Sequence, residues 1–395
     1  MSNAPLSVLF HHSVPFKKGR ASIIWVGVAK KIGIKTAGKN TKRSKKQNLL
    51  PNQKRKRLER NKKQKENEII RKESVIGLQK LGDNMHVVVT GAAGFLGSHL
   101  CDRLIRDGHT VTGLDNFITG RAANISHLND NPSFRFIKAD VSKEIPVTES
   151  FDQIFHLASP ASPIDYIELP LETMYVNADG TRLALELAEK NNARFFISST
   201  SEVYGDPEVH PQHEEYWGNV NPIGPRSVYD EAKRYAEALA TAYQRYKGVE
   251  VRIVRIFNTY GPRMRADDGR VIPTFINQAL EGKPLTIFGD GTQTRSFCYV
   301  DDLIEGFIRL MNSDLRKPCN VGNPHELTMN ELATEINNRT QNPIGVIFKP
   351  LPKDDPTRRR PDLTRANTEL NWSPKIPFSK GIEETITYFR NRLQG

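Results

Sequence analysis

Tyr229 and Lys233 stand four residues apart in the run Tyr229-Asp-Glu-Ala-Lys233, a spacing that puts both side chains on one face of a helix. A free phenol titrates near pH ~10, too high for a base at neutral pH, but a neighbouring ammonium favours the phenolate. The spacing alone is common, and Tyr243/Lys247 repeats it. What distinguishes the first pair is its order in the chain, after Ser199-Thr200-Ser201-Glu202. That segment closes an apolar run, Arg194–Ser198, and so falls at the carboxyl end of a strand, the edge that faces the ligand crevice in an open α/β sheet. Its hydroxyls either cap a turn before Tyr204-Gly205, or Thr200 hydrogen-bonds a reacting hydroxyl while Glu202 handles a proton.

The chemistry needs a partner, and an earlier segment offers one. The apolar run His86-Val-Val-Val-Thr90 leads into Gly91-Ala-Ala-Gly94-Phe-Leu-Gly97 and then into a helical pattern. Glycines at this spacing let the backbone turn, approach a pyrophosphate and pack helix against sheet, with the helix N-terminus toward the anion. Asp115 closes the next apolar run, 18 residues after Gly97. A carboxylate there suits adenosine ribose hydroxyls and repels a 2′-phosphate, and the following Asn116 offers no cation for one, which favours NAD over NADP. Asp140, closing the third run, is placed to accept from the adenine amino group. A bound nicotinamide would add its positive charge to that of Lys233 beside Tyr229.

The elements that must hold these residues follow from periodicity. Strands are predicted at His86–Thr90, Thr110–Leu114, Phe134–Lys138, Gln153–Leu157, Arg194–Ser199 and Val251–Ile256, with amphipathic helices such as Ser98–Asp107 and Glu172–Asn191 between them. This alternation predicts an α/β, Rossmann-type doubly wound parallel sheet. After Gly261 it weakens, and short helices (Val271–Glu281, Asp301–Asn312, Thr328–Arg339, Phe378–Arg392) predict a smaller C-terminal lobe. Charge sets the remaining boundary. Of the net +12, residues 1–84 hold +17, from 22 Lys and Arg against five acids, so the body is acidic at −5. A basic, disordered tail over 1–84 is expected, open to nuclear-import-like, organelle-targeting or nonspecific anionic roles, or to none. Three scattered cysteines and no histidine cluster argue against zinc and a disulfide framework and for a reducing compartment. No apolar run reaches the ~18 residues of a membrane span.

The body, residues 85–393, resembles extended short-chain dehydrogenases acting on nucleotide sugars, and among them UDP-glucuronate decarboxylases (UDP-xylose synthases). The resemblance is carried by Asp115-Asn-Phe-Ile-Thr-Gly120, His156-Leu-Ala-Ser-Pro-Ala-Ser-Pro163, Ser199-Thr-Ser-Glu-Val-Tyr-Gly-Asp-Pro207, Asn221-Pro-Ile-Gly-Pro-Arg226, Arg255-Ile-Phe-Asn-Thr-Tyr-Gly-Pro-Arg263, Gln293-Thr-Arg-Ser-Phe297 and Arg359-Arg-Pro-Asp362. It is loosest at Val141–Ser150, a slightly longer stretch.

The resemblance implies Tyr229 as base, Lys233 as its tuner, Thr200 and Glu202 beside the sugar, and Arg359 near the substrate carboxylate. It implies NAD contacts from Phe95, Leu96, Asp115, Asn116, Thr119, Gly120, Asp140, Val141, Leu157, Ser159, Ser198, Thr259 and Arg270, besides Gly91, Gly94 and Gly97, and UDP contacts from Asn258 and Arg295. The organisation it implies is a tail over 1–84, an NAD-binding Rossmann domain over 85–260 and a mainly nucleotide-sugar-binding lobe over 261–395. The expected reaction turns UDP-glucuronate into UDP-xylose and CO2 in a cytoplasmic homodimer, with the C4 hydroxyl transiently a ketone. A nucleotide-sugar 4,6-dehydratase or 4-epimerase shares the glycine loop and the Tyr–Lys pair. A non-catalytic NAD-binding or RNA-binding protein that uses the basic tail is the other class.

Overall fold

The structure, a computed structural model, describes residues 84–350 and 358–394. The expectations for the basic tail lie outside the described residues, save Asn84. Six strands form where apolar runs were read: β1 (His86–Thr90), β2 (Thr110–Asp115), β3 (Phe134–Lys138), β4 (Gln153–His156), β5 (Arg194–Thr200) and β6 (Val251–Ile256). They build a wholly parallel sheet in the order β6-β5-β4-β1-β2-β3, extended beyond β6 by the strand Cys319–Val321. β1 pairs with β2 (Val88↔Thr112) and with β4 (Val88↔Ile154). Successive crossovers therefore run outward in opposite directions from β1 and β4, and the crevice opens at their carboxyl ends. Parallel strands covered on both faces need apolar residues throughout; Val87, Val88 and Val89 are fully buried.

The strand Cys319–Val321 was not expected. It pairs in parallel with β6 (Cys319↔Val254), so the chain beyond Gly261 is not confined to a lobe but returns to complete the sheet. The rest of that region forms small sheets: Leu285–Phe288 with Val346–Lys349, and Thr294–Ser296 between Glu326–Thr328 and Arg358–Arg359.

Two helices carry the site. Phe95–Arg106 starts straight from the glycine turn, with Gly94 as its N-cap. Ser227–Tyr246 presents Ala232, Ala236 and Ala240 as buried residues, one turn apart, so small side chains bring its backbone close to the sheet. The predicted helix Glu172–Asn191 is instead divided into Pro170–Tyr175, a π-turn Val176–Gly180 and Thr181–Asn191. Its widened turn brings Gly180 against the Val141 carbonyl and the His156 ring, contacts that periodicity does not encode.

Candidate active site

The crevice is built from the glycine turn outward. Gly91 has φ +73°, and a Cβ there would come within 2.9 Å of Ala158 N; a Cβ on Gly97 would overlap the Gly91 carbonyl. The turn is therefore closed tightly on the helix that follows, with Gly91 N donating to Leu114 O at 2.8 Å. Asp115 accepts from Phe117 N at 2.7 Å and Ala93 N at 3.0 Å. Burial nevertheless pushes its carboxyl above the ordinary value. A Cβ on Gly120 would lie 2.8 Å from both Asp115 carboxylate oxygens, so only glycine lets this loop wrap the acid. Asn116 caps its own loop, accepting from Ile118 N at 3.0 Å.

The reactive pair lies on the far side. Tyr229 is buried and its hydroxyl hydrogen-bonds Thr200. Burial pushes the phenol up to about 12, against the opposing pull of the Arg270 charge and the Thr200 bond. The lowering expected from Lys233 is not what acts on the phenol here: burial dominates, and the charge that opposes it comes from Arg270. Lys233 Nζ sits 5.8 Å from the Tyr229 ring centroid and donates to Ser198 O at 2.9 Å. Its burial lowers it to about 7. Facing them is a cluster of fixed charge. Glu202 pairs with Arg226 and, at 3.4 Å, with Arg359. Burial would raise the Glu202 carboxyl, but Arg359 and then Arg226 outweigh it and hold it below the ordinary value. Arg359, only 2% exposed, also donates to Ser201 O and, at 3.1 Å, to Gly205 O.

Most of the expected residues meet in this one crevice. Gly91, Gly94, Phe95, Leu96, Gly97, Thr119, Leu157, Ser159, Ser198, Thr259 and Arg270 line it together with Thr200, Glu202, Tyr229, Lys233, Asn258, Arg295 and Arg359. Asp115, Asn116, Gly120, Asp140 and Val141 are not among its lining. Asp140 instead holds Ser142 Oγ at 2.7 Å and Lys143 Nζ at 3.0 Å, and Val141 is buried.

The model of the NAD dependent epimerase/dehydratase family matches residues 87–322. The chain belongs to that family. It is 50% identical over 312 residues to UDP-glucuronic acid decarboxylase 1 of Danio rerio, covering 79% of this chain and 74% of that one. It is also 50% identical to UDP-glucuronic acid decarboxylase 6 of Arabidopsis thaliana, over 78% of this chain and 90% of the relative. Among solved structures, UDP-glucuronic acid 4-epimerase from Bacillus cereus, in complex with UDP-glucuronic acid and NAD, superposes with TM-score 0.69 at 31% identity, covering 78% of this chain and all of that one. UDP-glucose 4-epimerase from Thermotoga maritima does so with TM-score 0.72 at 30% identity, over 78% and 100%.

NAD is the cofactor of this family, and the residues present fit it: a glycine cradle that any Cβ would fill, at a helix N-terminus, with an acid closing β2. Among the described residues no cluster of three or more His, Cys, Asp or Glu could hold a metal ion. No helix among them is long and apolar enough to cross a membrane.

Sequence reasoning missed several residues of the epimerase/dehydratase crevice, two of which stand beside the reactive groups. Tyr166 stacks on Tyr229 with ring centroids 5.0 Å apart, and its buried hydroxyl has no hydrogen-bond partner. Arg226 lies 5.9 Å over the Tyr166 ring and pairs with Glu202. Arg226 closes a segment the sequence marked as specific, Asn221–Arg226, whereas Tyr166 falls three residues beyond another, His156–Pro163. The signal for Arg226 was its place three residues before Tyr229, where it stands as the N-cap of the same helix; Tyr166 carried none.

Proposed function

We propose that this chain converts UDP-glucuronate to UDP-xylose and CO2, with NAD reduced and regenerated in the same crevice. Half identity to enzymes named UDP-glucuronic acid decarboxylase, over most of both chains, carries the reading. When bound, NAD would supply a hydride acceptor for C4, the source of the hydride that restores it, and a positive ring. Tyr229 takes the proton of the C4 hydroxyl, aligned by Thr200, which already shares a hydrogen bond with the phenol. Lys233, anchored on Ser198 O, holds a titrating amine beside the ring. The resulting ketone makes the substrate a β-keto acid, whose carboxyl group leaves as CO2 with the electron pair passing to the enolate.

Arg359 is the residue proposed to face the substrate carboxylate, since a guanidinium binds such a group in two-point fashion. Glu202, ionised between Arg226 and Arg359, has no proton to give at neutral pH. Of the two C5 proton donors considered, an ordered water rather than this carboxylate is favoured. Asn258 and Arg295 hold the UDP portion, and Asp115, Asn116, Gly120, Asp140 and Val141 the adenosine end of the cofactor. In this reading residues 85–260 chiefly bind NAD and 261–395 chiefly bind the nucleotide sugar.

The proposal extends to a cytoplasmic homodimer, which sedimentation tests. Ile167, Leu171, Met174 and Tyr175 lie exposed along adjacent helices, and Tyr235 does so on Ser227–Tyr246; the three cysteines are free and buried, which suits a reducing compartment. Nucleic acid is expected to bind only nonspecifically, through the basic tail. The deciding assay supplies UDP-glucuronate and NAD and reads CO2 and UDP-pentose. UDP-galacturonate without CO2 would make the chain an epimerase instead.

A further inference from the structure

Gln212 is fully buried, in a loop 148 residues from the segment it grips. Its backbone N donates to Arg360 O at 2.9 Å, and its carbonyl accepts from Asp362 N at 2.8 Å. Its side-chain Oε1 accepts from Arg360 N at 2.9 Å, while Nε2 donates to Val209 O at 2.8 Å. Pro361, paired opposite it in a parallel bridge, has no N–H, so the bonds fall on the residues to either side. Asn320, also fully buried and set in the strand Cys319–Val321, donates to Gln212 O at 3.0 Å and Asp362 O at 3.2 Å. On the other flank the Arg359 backbone pairs with Arg295, and its carbonyl accepts from Ser296 Oγ at 3.2 Å. A buried amide is unfavourable unless its polar atoms are satisfied. Here the amide oxygen and both backbone groups of Gln212 are directed at one three-residue segment, which begins next to Arg359, while the amide nitrogen is satisfied within its own loop.

We propose that Gln212 is a positioning residue: by fixing Arg360–Asp362 it sets where the Arg359 guanidinium stands, and so how the crevice receives a substrate carboxylate. Gln212 touches neither cofactor nor sugar in this role. The inference rests on the decarboxylase reading above and deepens it.

The test compares wild type with Gln212→Met, which keeps the volume and removes both polar atoms, in the full-length protein. KM for UDP-glucuronate should rise roughly tenfold or more, since small misplacements of positioning groups cost up to ~100-fold. Affinity for UDP-xylose, which has no carboxylate, should change less than about twofold, the size of a mere ~0.4 kcal/mol. In an Arg359→Ala background the same substitution should add almost nothing, because residues acting through one another are not additive. Equal losses for both nucleotide sugars, or a full additional loss without Arg359, would overturn the proposal. So would an unchanged KM for UDP-glucuronate. If Gln212→Met does not fold, Gln212→Glu is put through the same cycle, with a carboxylate-selective loss supporting and an unselective or absent one refuting. Wild type that releases no CO2 from UDP-glucuronate would refute the underlying reading instead, so the two failures are distinct.

Discussion

On the wall of the crevice formed by β5 and the helix Ser227–Tyr246, the reactive groups have been taken out of water and their nearest bonds are to neutral groups, with Arg270 the charge that favours the phenolate. Lys233 meets a carbonyl rather than a carboxylate, and Tyr229 a hydroxyl. On the wall formed by the turn after β5 and the segment Arg358–Asp362, charge is met by charge: Glu202 lies between Arg226 and Arg359. Desolvation shifts protons: it brings the Lys233 amine close to working pH while carrying the Tyr229 phenol further above it. Paired charge fixes them, because it holds each group in one ionisation state. The first wall suits a step in which a proton must change hands; the second suits recognition of a carboxylate that must keep its charge until it leaves. The solved relatives include 4-epimerases of UDP-glucose and UDP-glucuronic acid, so the specificity of this chain is sought on the second wall.

Removing the proton-moving group is the harshest way to break this contrast. Tyr229→Phe should lower both CO2 release and the transient absorbance of reduced cofactor by about 10²–10⁴-fold; wild-type UDP-xylose formation would mean the base lies elsewhere. Altering the charge-fixing wall should be milder and should separate the steps. Glu202→Gln is expected to slow UDP-pentose formation by roughly 10–100-fold, the equivalent of one charge-assisted hydrogen bond of ~1.5–3 kcal/mol. Reduced cofactor should then accumulate, since oxidation is less affected. An unchanged product yield would remove Glu202 from the chemistry.

The smallest effect sharpens the desolvated wall from beneath. His156 is fully buried, and burial, with some help from the Lys233 charge, lowers it to about 3. The unfolded chain takes up that proton near pH ~6.5, whereas the folded one refuses it until about pH 3. Between those values the unfolded state binds more protons, so stability falls as pH falls. His156→Gln, which keeps a polar partner for Thr90, should flatten this trend. The difference in melting temperature between pH 7 and pH 5 should shrink by on the order of a few °C, and an unchanged slope would show that this ring does not drive it.

The glycine cradle and the reactive pair of the first wall were largely legible in the sequence because their parts are local. A glycine turn between strand and helix, an acid closing β2 and a Tyr–Lys pair on one helix face each follow from short-range spacing. The second was legible only as resemblance. Nothing near Glu202 announces that Arg226 and Arg359 converge on it, for the latter arrives from 157 residues away. The stacking of Tyr166 on Tyr229 depends on where the short helix Pro163–Glu168 is laid against Ser227–Tyr246, and no periodicity reports that. The strand Cys319–Val321 was missed because three residues, the middle one Asn320, make no apolar run. Asn320 is polar at a fully buried position because its amide is spent on Gln212 and Asp362.

That short strand also imposes a schedule on the growing polypeptide. Translation delivers β1 to β6 in sequence, yet β6 has no neighbour on its outer side until residue 321 has emerged, 65 residues after Ile256. Through that interval the nascent protein carries a bare, hydrophobic rim ready to join another molecule. A fragment stopped before Cys319 would retain β1 to β6 but keep that rim permanently, and should be recovered as aggregate.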